Sequence, residues 1–449
     1  MAQYTRYEKL QKYYKDGTAV EPAEYKKGKN LGVAEYSSIE ECQGQPEPVP
    51  GNYTCCIKWK AHKDLNFNFN NNAITTKENP WCTKEKVINL DFNKSTSEIE
   101  SLDITIDETN SITSLGQIFE NLPYLKSVKL NIPKAASLRD ISSMFKDSTN
   151  LTSINFINFD TSNVTDAKYA YRNCSSLTSI DVSNWNTSNL KFSEFMFSNC
   201  SSLTSLDVSH WNTSNLQHAY AMFGGCSSLV SLDLSHWNTG NLIYAHDMFY
   251  NCSSLTSLDL NNWDTSNLQI AYEMFKKCSS LTSLDLSNWN TSNLQNAHSM
   301  FYNCSSLTSI DVSNWNTSNL TEEGFMFRGC SSLTSIDVSN WNTSNLQNAR
   351  GMFHSCASLT SLDLSNWNTS KCGIFENMFY GCENLETLNL KNFDMSKATS
   401  YDGMFGGCNK LKNIICKQAF KDWCITNQSR IQLPTAMREG GTGTWTIVN

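Results

Sequence analysis

An aspartate recurs every 26 residues through the middle of this chain, and carboxylates in such a file could bind cations or a basic ligand. The column consists of Asp181, Asp207, Asp233, Asp259, Asp285, Asp311, Asp337 and Asp363. If the repeats stack as parallel strands, neighbouring carboxylates lie about 4.8 Å apart. Like charges at that distance repel by roughly 1 kcal/mol per pair even in water. The column is therefore either a candidate ligand-facing stripe or a set of acceptors for hydrogen bonds from the turns and neighbouring serines.

A cysteine and a tryptophan recur with the same period. The cysteines are Cys174, Cys200, Cys226, Cys252, Cys278, Cys304, Cys330 and Cys356, followed in register by Cys382 and Cys408. The tryptophans are Trp185, Trp211, Trp237, Trp263, Trp289, Trp315, Trp341 and Trp367. We expect the cysteines to be reduced and buried as small hydrophobic side chains. Because the tryptophans follow the last strand leucine by three residues, packed indoles are favoured over an exposed row that stacks on sugar rings.

Catalytic signals are absent from the sequence. The seven histidines share no register with a nucleophile, and no glycine-rich phosphate loop follows a predicted strand. A glycan-cleaving enzyme needs two carboxylates in different environments, whereas a column of equivalent aspartates offers no asymmetry. We therefore predict a non-enzymatic protein with no catalytic residues, no cofactor and no metal site. A glycan-degrading enzyme is the rival from another functional class.

Composition limits the partners further. The net charge of −8 argues against nucleic-acid binding, which needs a basic footprint, and no apolar run is long enough for membrane insertion. Outside the repeats, no CxxC pair is present, so the zinc candidate formed by Cys42, Cys55, Cys56 and Cys82 is weak. A disulfide bond between Cys416 and Cys424 is compatible with the sequence, which does not decide whether it forms.

The elements that position these columns follow from a single repeat. Ala219, Met222, Phe223 and Cys226 are apolar at helical spacing and predict a short helix. The alternating segment SLTSLDV predicts a strand, and a turn rich in Asn, Ser and Thr closes the unit. The predicted fold is an α/β solenoid of about twelve 26-residue helix–strand units with a parallel sheet.

The repeats occupy the middle of the chain and define its predicted organisation. The divisions are an N-terminal anchoring module at 1–85, an N-terminal cap at 86–117, the repeats at 118–414 and a C-terminal cap at 415–449. The segments VINLDF and SLDITI are expected to form strands that lead into the array, and GGTGTWTIVN a turn and a last strand.

The two predicted faces of the array differ in regularity. The outward strand face, with Ser205, Asp207 and their equivalents, hardly varies between copies and is the most regular candidate surface. The copies differ most around the predicted helix, in pairs such as Gly224-Gly225, Tyr250-Asn251 and Lys276-Lys277. Such positions are either drifting solvent-exposed surface or individual contacts with a partner.

The strand motif L-x-x-L-x-L-x-x-W, as in Leu177, Ile180, Val182 and Trp185, resembles the leucine-rich repeat, with Trp where that family usually has Asn or Cys. The longer pattern SLTSLDLSNWNTSNL…MFxxC is similar to the 26-residue repeats of bacterial BspA-like surface proteins. Those proteins typically have DTSxVTNMxxMF where this chain has NTSNLQNAHSMF, which indicates a divergent branch. The resemblance implies a leucine-rich-repeat-like solenoid that acts as a bacterial cell-surface adhesin.

A second resemblance concerns residues 6–42, which are similar to the N-terminal segment of structural proteins from crAss-like phages of gut Bacteroidetes. It implies a virion surface protein, as a fibre, tail or head-surface component. Residues 1–85 would contact other virion proteins, and the array would bind a host-surface glycan or protein. The N-terminus lacks the apolar stretch of a secretory signal, and unpaired thiols suit the reducing compartment in which virions assemble. A homo-oligomer is compatible with this arrangement.

Overall fold

A computed structural model describes residues 113–131, 137–321 and 323–448, and the backbone of five short strands nearer the N-terminus. Two compact units are formed, by residues 1–60 with 81–92 and by residues 61–80 with 93–449. Residues 61–80 thus belong to the larger unit, whereas the sequence grouped them with the anchoring module. Apart from two short strands, the phage-like segment lies outside the described residues, as do VINLDF and the zinc candidate Cys42, Cys55, Cys56 and Cys82.

The strands nearest the N-terminus form two sheets. In the smaller unit, β1 (Tyr13–Lys15) pairs antiparallel with β2 (Thr18–Val20). The larger unit begins with a five-stranded sheet in the order β4-β3-β5-β6-β7. Its strands are β3 (Asn66–Phe69), β4 (Asn72–Thr75), β5 (Ser101–Thr105), β6 (Ser127–Asn131) and β7 (Ser153–Ile157). Pairing is antiparallel at β4-β3 and β3-β5 and parallel from β5 to β7, so the array begins at β5, within the predicted strand SLDITI.

Parallel pairing continues along the solenoid, with a 26-residue offset except at the last strand, where Asn413 pairs with Thr444. The strands β8 (Ser283–Asp285) and β9 (Ser309–Asp311) form one sheet. A four-stranded parallel sheet is formed by β10 (Ser361–Asp363), β11 (Thr387–Asn389), β12 (Asn413–Cys416) and β13 (Thr444–Ile447). Helix α1 (Gln418–Thr426) and a 3-10 helix (Thr435–Met437) connect β12 to β13. The predicted parallel-sheet solenoid is confirmed, with about 11 turns where the sequence indicated about twelve units.

The predicted row of helices is wrong. Where the structure describes it, the residue eight positions before a periodic cysteine forms parallel β-bridges to the neighbouring coils, as Phe192 does to His218 and His218 to Tyr244. Alternate backbone N–H groups donate to the next coil, as Ala219 N does to Tyr244 O at 3.0 Å. The N–H groups between them donate three residues back, as Met222 N does to Ala219 O at 3.2 Å. Because every second N–H is bonded to another coil, the i to i−4 bonds of an α-helix cannot form.

Left-handed backbone explains why the helix does not form. Each coil has two residues with positive φ, four positions apart, such as Ala221 (51°) and Gly225 (82°). The second position directly precedes the periodic cysteine and is most often Asn or Gly, the residues that adopt this conformation most easily. At Gly225 an added Cβ would also collide with the side chain of Asn199 in the preceding coil. This Asn/Gly preference was the signal against a helix.

Identical columns of side chains fill the interior. Neighbouring indoles stack with nearly parallel planes, as Trp237 and Trp263 do at a centroid distance of 6.3 Å. Phe223 and Phe249 form part of a second stack at 5.8 Å. The predicted tryptophans and periodic cysteines are all buried. Each coil therefore contacts its neighbours through side chains of the same type, which is how a solenoid continues its core.

The periodic thiols donate hydrogen bonds between coils, which the sequence analysis did not foresee. Cys252 Sγ donates to the backbone carbonyl of Phe223 at 3.1 Å, and each of the ten cysteines does the same 29 residues back. At the same register Ser148 Oγ donates to Phe119 O at 2.8 Å. Burial raises the pKa of Cys226 to about 12. The thiols are free, as are Cys416 and Cys424, which form no disulfide bond.

Candidate functional site

The aspartate column lies on the exposed strand face, and each of its carboxylates closes a turn. Ser209 N donates to Asp207 Oδ1 at 3.1 Å, and Ser209 Oγ donates to the same oxygen at 2.7 Å. In every member of the column, Oδ1 accepts the backbone N–H two residues later; the donors are Ser183, Ser209, Ser235, Asn261, Ser287, Ser313, Ser339 and Ser365. One oxygen of each aspartate therefore has a structural role.

These turn bonds also affect the charge of the column. Hydrogen bonds from the side chain and then the backbone of the following serine lower the pKa of Asp207, Asp233 and Asp337. For Asp285 the backbone N–H of Ser287 is the larger cause of the lowered pKa. Among the residues that the structure describes, no three His, Cys, Asp or Glu side chains are placed to hold a metal ion. A ligand-facing role for the aspartate stripe remains a prediction.

A second surface, which we name the turn face, is formed by the residues one to eight positions before each periodic cysteine, for example residues 244–251. In this segment Ala245, Met248 and Phe249 are buried, whereas Tyr244 and His246 are half-buried. The backbone repeats from coil to coil through the bridges, but the half-buried side chains differ in each coil. The turn face therefore combines a regular support with a sequence of side chains that does not repeat.

Aromatic side chains form two rows along one part of the turn face. One row contains Tyr169, Phe195, Tyr220, His246 and Tyr272, with centroid distances from 4.4 to 5.3 Å between neighbours. The other contains Phe192, His218 and Tyr244, at 5.1 and 4.9 Å. Most rings in the longer row cover one another's faces, so they are held rigidly by contact with the adjacent coils. These rows supply a large amphipathic contact area at low entropic cost.

Ionisable groups lie among these rings. The nearly buried Glu194, which is 3% exposed, contacts His218 Nδ1 through Oε1 at 3.0 Å. Burial lowers the pKa of His246 to about 4, and the neighbouring His218 adds to the effect. Burial likewise raises the pKa of Asp247 well above its ordinary value, and Glu273 nearby contributes in the same direction. The free energy of unfolding therefore depends on pH in this part of the turn face, with His246 and Asp247 acting in opposite directions.

Basic side chains lie over aromatic rings a little further along the array. Lys276 Nζ is 5.6 Å from the ring centroid of Tyr250 and 5.3 Å from that of Tyr302. Arg328 lies 5.4 Å from the Tyr302 ring and 5.3 Å from the Phe325 ring. Such cation–π contacts restrict long side chains that would otherwise move freely.

The variation next to the cysteines is visible in the sequence, but the aromatic rows were not predicted from it. Their members are not identical, since Tyr, Phe and His alternate with no fixed residue type. The available signal was the register: Tyr220, His246 and Tyr272 are separated by 26 residues each. Aligning the repeats and looking for a column of one chemical class would have identified this part of the row, whereas Tyr169 and Phe195 lie at the next register position.

Comparisons with known proteins concern the repeats. A family model described as "Mycoplasma protein of unknown function, DUF285" matches residues 88–205, 113–231, 194–311, 221–335 and 307–419, well over half of the chain. No curated protein matches the chain. Among the described residues, no helix has the length and apolar character needed to cross a membrane.

Several solved structures are similar to this chain at low identity. A leucine rich cell surface protein from Faecalibacterium prausnitzii is 17% identical, with 72% of this chain and 92% of that chain covered and a TM-score of 0.41. A leucine-rich repeat protein from Eubacterium ventriosum is 16% identical, with 63% and 90% covered and a TM-score of 0.32. The functional domain of InlJ from Listeria monocytogenes, which includes a cysteine ladder, is 17% identical, with 72% and 68% covered and a TM-score of 0.21.

Proposed function

We propose that this chain, which belongs to the DUF285 family, is a non-enzymatic recognition protein that binds a host-surface glycan or protein through the turn face of its solenoid. The observation that carries the proposal is the contrast between the two long faces. The strand face presents the same aspartate in eight consecutive coils, from Asp181 to Asp363, and each of these carboxylates already accepts a turn N–H. The turn face presents rigid aromatic rows whose composition changes along the array.

Specific recognition favours the face that does not repeat. A partner that docks on identical columns meets the same chemistry at every shift of one coil, so its register is not fixed. The half-buried rings of Phe192 and Tyr302, with the ammonium groups of Lys168 and Lys276 over them, define a single position along the array. Aromatic residues that are already immobilised lose little conformational entropy on binding, and they are enriched at binding interfaces.

A binding assay with paired variants tests this proposal. Fluorescently labelled chain is incubated with cells of gut Bacteroidetes, the host group implied by the similarity of residues 6–42, and bound label is measured by flow cytometry. One variant combines Tyr244→Ser with Tyr250→Ser on the turn face, and the control combines Asp207→Asn, Asp233→Asn and Asp259→Asn on the strand face. We expect the turn-face variant to bind at least about tenfold more weakly and the control to bind like the parent.

Other outcomes have defined meanings. Loss of binding in the aspartate variant alone would show that the aspartate stripe, and not the turn face, binds the ligand. Absence of binding by the parent chain to every strain would contradict the host-attachment role. Release of reducing ends from capsular polysaccharide during the incubation would favour the glycan-degrading enzyme instead.

We further propose that the array is carried on a virion, as a fibre, tail or head-surface component, with residues 1–85 in contact with other virion proteins. This rests on the similarity of residues 6–42 to phage structural proteins. The alternative is a bacterial cell-surface adhesin. Capsid, portal and tail genes beside the coding sequence would support the virion, whereas a locus of secretion or lipoprotein genes would favour the adhesin.

A further inference from the structure

We propose that a groove at the edge of the turn face is a subsite for an acidic saccharide, with the Lys277 ammonium as the group that binds its carboxylate or sulfate. The inference deepens the proposed recognition function and rests on it. The groove has a volume of about 430 Å³ and crosses three consecutive coils. Its lining is formed by Asn251, Ser253, Lys277, Ser279, Asn303 and Ser305.

The lining offers hydrogen bonds of the kind that sugar hydroxyls need. The serine hydroxyls donate to the preceding coil, as Ser279 Oγ does to Ser253 O at 3.3 Å and Ser305 Oγ to Ser279 O at 3.4 Å. Their oxygens therefore retain lone pairs that accept hydrogen bonds. The amides of Asn251 and Asn303 supply both donors and acceptors at the two ends. A volume of this size lies in the usual range of small-ligand sites.

Lys277 is an exception at its position in the repeat. It has φ 64°, in the left-handed region that a long side chain seldom adopts. In the other described coils the equivalent residue is short: Asn121, Asp147, Asn173, Asn199, Gly225, Asn251, Asn303, Gly329, Ser355, Gly381 and Gly407. A lysine thus replaces the residue that the backbone favours in the middle coil of the groove.

Among the described residues, Lys277 differs from the lysine beside it in having no carboxylate partner. The adjacent Lys276 forms an ion pair with Glu273 at 2.8 Å, whereas no carboxylate of the described residues lies within 4.0 Å of Lys277 Nζ. Its nearest polar partner is the Tyr250 hydroxyl at 3.5 Å, and its Nζ is 5.6 Å from that ring centroid. In a chain with a net charge of −8, such a cation in a polar groove selects for an anionic group on the ligand.

The neighbouring groups favour a saccharide over a nucleic acid. Phosphate-backbone binding requires several cations along a track, and the groove lining contains one. The remaining five lining residues are neutral amides and hydroxyls, which match a chain rich in hydroxyl groups. A saccharide with one anionic group can pair with Lys277 and hydrogen-bond to the five neutral lining residues through its hydroxyls.

Isothermal titration of the full chain with defined oligomers tests the subsite. The probes are galacturonic acid hexamer for a carboxylate, a heparin hexasaccharide for a sulfate, cellohexaose as the neutral control and a single-stranded DNA oligonucleotide. We expect at least one acidic saccharide to bind, and Lys277→Asn to weaken that binding by about tenfold or more, since a hydrogen bond to a charged group is lost. Lys277→Arg should retain most of it.

The variants are chosen so that a folding defect cannot explain the result. Asn occupies the equivalent position in both flanking coils, so Lys277→Asn should be at least as stable as the parent in thermal unfolding. Lys391→Asn makes the same charge change at an exposed site on the strand side and should leave binding unchanged.

Several results would overturn the subsite: no binding of either acidic saccharide, equal binding of cellohexaose, tighter binding of DNA, or unchanged affinity in Lys277→Asn. If binding to Bacteroidetes cells persists while both acidic saccharides fail to bind, the subsite is wrong and the recognition function stands. Loss of cell binding in the Tyr244 and Tyr250 variant supports the function whatever the titration shows.

Discussion

The interior of the solenoid and its turn face are built from the same segment of each repeat, yet they follow different rules. In residues 244–251, Met248 and Phe249 enter columns in which almost every coil has the same residue. The residues equivalent to Tyr244 and His246, which precede Met248 and Phe249 in the same segment, change from coil to coil. An interior side chain must match the coils on both sides, whereas a turn-face side chain must only be compatible with the backbone. Stacking therefore determines the interior, and the turn face is available for recognition.

The largest predicted difference between the two regions concerns alkaline pH. Burial raises the pKa of every periodic thiol, to about 12 for Cys226 and Cys330. In the unfolded chain a thiol titrates near about 8.5. Between these values the folded state retains protons that the unfolded state has lost, so the free energy of unfolding falls as pH rises. The loss is up to about 1.4 kcal/mol per pH unit for each thiol, and ten thiols act together.

We therefore expect the melting temperature to fall steeply from about pH 8 to about pH 10.5. Circular dichroism gives the transition. In a variant with Cys42, Cys55, Cys56 and Cys82 replaced by Ser, the ultraviolet absorbance of the thiolates should rise only when the chain unfolds. Thiolates that appear in a chain that is still folded would contradict the buried, hydrogen-bonded state of the cysteine column.

How far the sequence predicts this molecule depends on which region is considered. The 26-residue period and the parallel sheet follow directly from the spacing of Cys, Trp and the strand leucines, because stacked coils require identical neighbours. The prediction of helices was wrong because Ala219, Met222 and Phe223 have the apolar spacing of a helix without its hydrogen bonds. The N–H groups of Ala219 and Phe223 donate to the next coil, and that of Met222 donates within its own coil. Apolar periodicity reports which side chains are buried, and it does not report the partner of each N–H.

The candidate surfaces show the same limit. Identical aspartates are easy to recognise in a sequence, but the bond from Ser209 to Asp207 that closes the turn depends on backbone geometry. The row formed by Tyr220, His246 and Tyr272 depends on side chains of one class that are brought together only by the register of the coils. Regular features were therefore predictable, and features made by unlike residues were not.

At acid pH His246 on the turn face should lower the free energy of unfolding, by less than the cysteine column does at alkaline pH. Burial lowers the pKa of His246 to about 4, below the ordinary value near about 6.5. As pH falls between these values the unfolded state binds a proton that the folded state does not, so stability is lost. We expect His246 to account for a loss of about 2 kcal/mol between about pH 7 and about pH 5, measured by denaturant unfolding.

The variant His246→Phe isolates this contribution, because a phenyl ring can replace the imidazole between Tyr220 and Tyr272. Asp166 and Asp247 have raised pKa values and act in the opposite direction, so the parent and the variant must be compared at each pH. Equal pH dependence in both proteins would mean that His246 is solvated and that the aromatic row is less tightly packed than described.

The smallest predicted effect concerns the role of the periodic cysteine, which is either an apolar side chain or a hydrogen-bond donor. Cys252 Sγ donates to Phe223 O, and at the same register Ser148 Oγ donates to Phe119 O. Phe223 O also accepts the backbone N–H of Cys226 at 3.1 Å, so Cys252→Ala removes one of its two donors. If donation is what the interior requires, Cys252→Ser should be more stable than Cys252→Ala by about 1 kcal/mol. Denaturant unfolding of both variants gives the comparison.

A serine variant less stable than the alanine variant would show that the thiol acts mainly as a hydrophobic side chain. The interior would then be selected for apolar packing alone, and Ser148 would be a tolerated exception near the N-terminal end of the array.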